Sequence, residues 1–265
     1  LLIRNSVAIH QIDQKEPYWV NSATAVKLIL KRFRKLEKSG RVRFATDSHR
    51  LADEYYQLAG IDMTVVPHPS LLLQAREKKE IDEDAITICL PGPARWEKGP
   101  HILLAALETL QPIHPIRIIM QWPDPVMSPQ GVELARPQVN KIENVTIELI
   151  ERPLSSEEYQ QLIEGANIIV LPYLREAYFA RISGVAVEAM LAGIPVIYTH
   201  DTWNSDMIER FGVGIGFKSG NSEQLASAIQ RVLETPDLQL QAREKVAGAR
   251  EHFSVKNFQH ALWES

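Results

Sequence analysis

The sequence has almost no cysteine: a single residue, Cys89, in 265. One thiol closes no internal disulfide and builds no Cys-rich zinc site, and it suits a reducing compartment, so a cytoplasmic setting is expected. Long apolar runs are missing too; none approaches the ~18 residues that a membrane-spanning helix requires. Excess positive charge is also missing. The 29 Lys and Arg stand against 33 Asp and Glu, a net charge of −4, without the overall basic field of a nucleic-acid binder. The opening Leu1-Leu2-Ile3-Arg4 lacks a charged n-region, a small-residue cleavage site and a Met, so we expect the sequence to begin inside a longer protein rather than with a signal peptide. Low-complexity tracts and internal repeats are absent. What is present, 45% apolar and 23% charged residues, is the ordinary composition of a globular protein with a sizeable core.

From about residue 42 onward, strand-like and helix-like segments alternate. Arg41–Thr46 reads as a strand, Ser48 as the cap of a helix running to about Ala59, and Thr64-Val65-Val66 as a short strand stopped by Pro67. Apolar, β-branched runs at Ala85–Leu90, Ile116–Gln121, Val145–Ile150, Asn167–Leu171 and Pro195–Thr199 read as buried strands. Helices are expected at about 99–110, at 156–164, from Ser183, and at 222–234. This βαβα order predicts a parallel sheet covered on both faces. Two regions stand apart. Residues 17–39 read as one long helix, and the little that precedes Pro67 is too short for a domain and reads as the end of one. Near the C-terminus, Phe253-Ser254-Val255 interrupts the last helices and leaves a segment with spare apolar residues, Phe258, Leu262 and Trp263.

In an open α/β sheet, ligands bind beyond the carboxyl ends of the strands. The loops expected there carry Arg95 and Lys98, then Glu151-Arg152, then Arg175, Glu176, Tyr178 and Arg181 between Pro172 and Ile182, then His200-Asp201. Arginines and a lysine gathered at one sheet edge suit an anion such as a diphosphate. The sharpest feature is Ser183-Gly184-Val185 followed by Glu188-Ala189-Met190. Ser183 is a good N-cap, Gly184 lets a ligand approach the backbone, and free amides at a helix start attract phosphate. Glu188 falls one turn on, roughly 6 Å along the axis, about the separation of a nucleotide's pyrophosphate from its ribose hydroxyls. The plain alternative is a capped helix with a solvated glutamate.

Three groups of residues together carry a family resemblance. Arg95-Trp96-Glu97-Lys98-Gly99 resembles the basic "E-K-G" phosphate loop of glycosyltransferase family 4. Ser183 to Met190, followed by Ala192-Gly193-Ile194-Pro195-Val196-Ile197, resembles its "GV..EAM..G.PVI" segment, and Thr46-Asp47-Ser48 with Val65-Val66-Pro67 resembles the crossing between its two domains. The resemblance covers most of residues 42–235. It implies an α/β protein of GT-B type: one complete Rossmann-like parallel-sheet domain plus the C-terminal remnant of a first Rossmann-like domain. The implied boundaries are 1–66 for the end of the acceptor-side domain, 67–250 for the nucleotide-sugar-binding domain, and 251–265 for a helix returning to the first.

The implied activity is transfer of a sugar from a nucleoside-diphosphate sugar to a glycan or lipid-linked acceptor, with retention, without metal and without a further cofactor. Lys98 and Glu188 would be the catalytic-site residues, Lys98 on the diphosphate and Glu188 on the ribose. Arg95, Arg181, Ser183, Gly184 and Val185 would complete the donor site. Two readings compete: a non-catalytic nucleotide-sugar-binding or partner-binding module of the same fold, and a phosphorylase or sugar epimerase. One departure bears on them. Members commonly carry a second glutamate eight positions before Glu188, where this chain has Ala180, with Glu176 and Arg181 nearby.

Other features read as structural. Asp82-x-Asp84 is a solvated approach to a strand; Gly212-Val213-Gly214-Ile215-Gly216 lacks the spacing of a dinucleotide fingerprint and reads as a turn. His68, His101, His114 and His200 have no metal-ligand partners at useful spacing, and Cys89 reads as a buried, inert thiol. Between 27 and 43, eight Lys and Arg face one acid, Glu37, a local +7 that leaves −11 for the remainder. A solvated face on a packed helix is the commoner explanation. Peripheral contact of helix 17–39 with an anionic membrane stays open beside it.

Overall fold

In a computed structural model, residues 2–3, 17–70, 85–137 and 142–263 are described, with side chains from residue 27 onward. Asp82 and Asp84 lie outside the described residues. The chain divides into two compact units. One comprises Leu1–Leu71, Glu176–Ile182 and Glu251–Ser265; the other comprises Leu72–Arg175 and Ser183–Arg250. The excursion 176–182 falls in the first unit, a grouping that the expected boundaries did not foresee.

The larger unit is built on six parallel strands: β4 (Ile86–Leu90), β5 (Ile116–Gln121), β6 (Val145–Ile150), β7 (Ile168–Leu171), β8 (Val196–Thr199) and β9 (Gly214–Phe217). They lie in the order β6-β5-β4-β7-β8-β9, so the chain starts at the centre, works to one edge, then crosses back and works to the other. This is the doubly wound order of a Rossmann-type sheet, with its switch point between β4 and β7. Every residue of β7 and β8 is buried, which is why these segments read as unbroken apolar runs. Helix α3 (Pro100–Thr109) packs on α8 (Ser222–Leu233); α6 (Gly184–Ala192) packs on α4 (Ser156–Glu164) and α7 (Trp203–Phe211). The starts of these helices are encoded locally. Ser155, Ser183, Thr202 and Asn221 each accept a hydrogen bond from a first-turn amide, and Ser155 forms a full capping box with Glu158.

The glycine-rich stretch expected to be a turn is an edge strand instead. A Cβ at Gly214 would collide with the carbonyl oxygen of Val196, and one at Gly216 with the His200 ring. The glycines permit close approach to β8, a use that alternation of side chains does not reveal. The stretch from Pro172 to Ile182 also contains a short helix, α5 (Arg175–Tyr178).

In the smaller unit, β1 (Leu2–Ile3), β2 (Ala45–Thr46) and β3 (Thr64–Val65) form a parallel sheet beside α1 (Pro17–Lys38) and α2 (His49–Ala59). Its core gathers Leu30, Phe44, Leu51, Tyr55 and Ile61. On α1, Leu30 is buried, whereas Leu28 and Ile29 are 60% and 53% exposed beside Lys27, Lys31 and Arg32. The last helices, α9 (Leu238–His252) and α10 (Val255–Trp263), break at Ser254, whose hydroxyl accepts from the Asn257 amide. Helix α10 packs on β3, with Phe258 and Leu262 half-buried, but Trp263 is 75% exposed and does not join the packing expected of it. Among the described residues, no helix is long and apolar enough to cross a membrane.

Candidate functional site

The site lies at the carboxyl ends of β4 to β7. Beyond β4, Gly92 takes a left-handed conformation (φ 76°), and the Ala94 amide donates to the Gln121 carbonyl at 2.8 Å, pinning the loop to the end of β5. Arg95 is extended, Trp96–Lys98 forms a single 3-10 turn, and Gly99 (φ 71°) closes that turn and opens α3, with Pro100 at its first position. The loop is clamped from below. Leu174 donates to the Glu97 carbonyl at 2.9 Å, and Gly99 packs so closely on the Pro172 carbonyl that no Cβ could fit. Trp96 stacks on His101 with ring centroids 3.8 Å apart, and burial lowers the pKa of that histidine.

This folding turns Lys98 inward. Its side chain is buried, and its Nζ lies 2.7 Å from where a Gly92 Cβ would be. Arg95 is instead exposed and pairs with Glu97 at 3.3 Å.

The loop after β7 leads to the second half of the site. Buried Ser183 caps α6 by accepting from the Ala186 amide at 3.3 Å, and Gly184 is exposed at the helix tip. A Gly184 Cβ would stand 4.0 Å from Glu188 Oε1, so the two residues share a face as the spacing predicts; Val185 is half-buried. Glu188 accepts a 2.7 Å hydrogen bond from the Tyr159 hydroxyl. Its carboxyl pKa is raised, chiefly by burial; the Tyr159 bond and the positive charge of Lys98 both pull the other way. Lys98 and Glu188, 90 residues apart in sequence, are brought close enough for the lysine's charge to act on the carboxyl. Beside Glu188 opens a cavity of about 600 Å³, whose wall includes Gly92, Gln121, Glu151, Ser155, Tyr159 and Glu188, and the Lys98 Nζ lies next to Gly92. Among the described residues, none donates a hydrogen bond to the buried Gln121 Oε1, which leaves an acceptor for a donor on a ligand. The arrangement suits an anion held by an ammonium and a helix N-terminus, with a carboxylate and an amide left for polar groups attached to it.

Arg181 belongs to the smaller unit, exposed, its guanidinium 5.2 Å from the centre of the Tyr178 ring. Arg175 pairs with Asp201 at 2.5 Å. Ala180 is a packing residue: 2% exposed, it joins the apolar cluster of Leu30, Phe44, Leu51 and Tyr55, and its carbonyl accepts from Ser48 Oγ at 2.9 Å. Among the described residues, no group of three or more His, Cys, Asp or Glu is arranged to hold a metal ion. Tyr159, Gln121 and Gly92 went unnoticed in the sequence. A glycine between two prolines just past a strand is a signal for Gly92; Tyr159 and Gln121 carry no local mark.

Residues 85–235, more than half of the chain, match the family model described as group 1 glycosyl transferases, and the protein belongs to that family. No curated protein matches the sequence. Solved structures do. HepE of Anabaena, in complex with UDP and glucose, aligns with a TM-score of 0.70 at 15% identity, over 99% of this chain and 70% of that one. Sucrose-phosphate synthase from Thermosynechococcus elongatus aligns at 0.64 and 18%, over 99% and 65%. The lipopolysaccharide outer core galactosyltransferase WaaB, in its apo form, aligns at 0.55 and 17%, over 84% and 62%. The fold is that of GT-B glycosyltransferases, and the chain spans between 62% and 70% of the length of these three structures.

Proposed function

We propose that the protein transfers a sugar from a nucleoside-diphosphate sugar to a glycan or lipid-linked acceptor, with retention of configuration and without metal or further cofactor. The observation that carries this reading is that Glu188 and Gly92, the glycine beside the Lys98 ammonium, line one cavity beyond the strand ends, with the capped tip of α6 on the same helix face as Glu188. The Lys98 ammonium and the first amides of α6 meet the charge that grows on the leaving diphosphate, a task that preorganised donors perform at low reorganisation cost. Glu188 takes the ribose hydroxyls, and the Gln121 side-chain Oε1 accepts from the nucleoside. UDP in the HepE complex makes uracil the first base to try.

The protein works in the cytoplasm in this reading. Its acceptor side reaches a membrane surface through α1, where exposed Leu28 and Ile29 lie beside lysines. Burial of Ala180 in an apolar cluster, with no carboxylate at that position, favours the rival reading of a nucleotide-sugar-binding module without transfer. Two measurements separate the readings. Calorimetry with UDP, GDP and ADP tests the site, and no binding at millimolar concentration rejects both. Transfer of labelled sugar from the preferred donor to glycan and lipid-linked acceptors then tests the chemistry, and donor binding without transfer leaves the module.

A further inference from the structure

Glu188 does not stand alone in the cavity wall. The Tyr159 hydroxyl on α4 donates to its Oε2 at 2.7 Å, while Oε1 lies toward the tip of α6, 4.0 Å from the Cβ position of Gly184. One carboxylate oxygen is engaged by the protein; the other is turned to the place where a ligand would arrive. We propose that Tyr159 is a positioning residue that presets Glu188, so that a single oriented oxygen selects a ribose with its 2′-hydroxyl in place. This rests on Glu188 as the ribose-binding group.

The chemistry of the pair supports the assignment. A phenol can hold a carboxylate only while it keeps its proton, and burial, with the charge of Glu188 next, pushes the Tyr159 pKa far above its ordinary value. The hydroxyl is therefore a permanent donor at any pH the protein meets. Lys98 acts on Glu188 from the turn before α3, and Tyr173, just past β7, acts on Tyr159; among the described residues, the carboxylates of Asp124 and Glu151 line the same cavity. Both Lys98 and Tyr159 favour the ionised carboxylate against the burial that opposes it. Loss of the phenol hydroxyl removes one of these two supports and frees the side chain to rotate. Glu188 then binds a proton more readily and spends less time aimed at the ligand.

The experiment is calorimetric titration of wild type and Tyr159→Phe with the nucleoside diphosphate that binds best and with its 2′-deoxy counterpart, from about pH 5 to 8. Wild type should prefer the ribonucleotide. Tyr159→Phe should lose that preference by roughly five- to tenfold, and the acid limb of its binding profile should move to higher pH. In a Glu188→Gln background the same change should alter the ratio no further. A folded Tyr159→Phe protein with the wild-type ratio and pH profile overturns the proposal and leaves the nucleotide site standing. Equal binding of ribo- and deoxy-forms by wild type overturns it together with the ribose role of Glu188. Absence of any nucleotide binding overturns the whole site.

Discussion

The ammonium nitrogen of Lys98 lies 2.7 Å from where a Cβ of Gly92 would stand. A methyl group there displaces the lysine, and the residue must also keep a left-handed φ of 76°. Gly92→Ala should cost about 1–3 kcal/mol of stability for the strained backbone and weaken nucleoside-diphosphate binding as well. Lys98→Ala should weaken binding by about 1.5–3 kcal/mol while leaving the left-handed backbone at Gly92 unstrained. Denaturant melts beside calorimetry distinguish the two patterns.

Gly99→Ala should be the more damaging glycine substitution. At Gly92 the obstructing atom is the far end of the Lys98 side chain, whereas at Gly99 it is the Pro172 backbone carbonyl. The carbonyl belongs to the loop that also anchors Glu97 through Leu174, so relief of the clash opens the clamp under the lysine. A loss clearly above the ~1–3 kcal/mol of left-handed strain, with donor binding abolished, is the expected result in urea titration and calorimetry.

Ala180→Glu tests the meaning of the missing glutamate. In this fold the Ala180 methyl lies among Leu30, Phe44, Leu51 and Tyr55, so a carboxylate there meets apolar carbon. The substitution should destabilise by about 3 kcal/mol or more, as an uncompensated buried charge does, and should not raise transfer. A stable variant with increased transfer would mean that the position serves the sugar after all.

The pH dependence of donor binding follows from Glu188. An ionised carboxylate accepts from a hydroxyl more strongly than a protonated carboxyl does, and burial has raised the pKa of this one. Binding should therefore be full above that raised value and fall as pH drops through it, with the decline beginning at higher pH than for an ordinary carboxylate. Glu188→Gln should flatten the acid limb. An unchanged limb in that variant would assign the titration to another group.

Much of the scaffold was legible because its determinants are local. Ile116–Gln121 and Val145–Ile150 are strands at the expected limits, and Ser183 caps α6 as its side chain dictates. The same holds for Gly184 and Glu188, which one helical turn brings to one face. What stayed hidden depends on partners distant in the chain. The contact between Tyr159 and Glu188 joins separate helices, and the strand at Gly214–Phe217 owes its glycines to the approach of Val196 and His200. Ala180 reads as a gap in a motif until Ser48 and the core of the smaller unit are seen around it. Trp263 reads as an anchor, yet no apolar partner covers most of its surface.

The all-parallel sheet has a consequence for how the protein is made. Ile88 at the centre of β4 pairs with Ile118 on one side and with Ile168 on the other. The second of these partners leaves the ribosome long after the first. Until β7 emerges, β4 therefore presents an unpaired apolar edge, a template for pairing with the wrong chain. The anion site and its cavity cannot exist before that pairing closes, because Lys98 follows one strand and Glu188 the other. Ligand cannot rescue the early intermediate, and chaperone protection during synthesis is the expected safeguard of this half of the sheet.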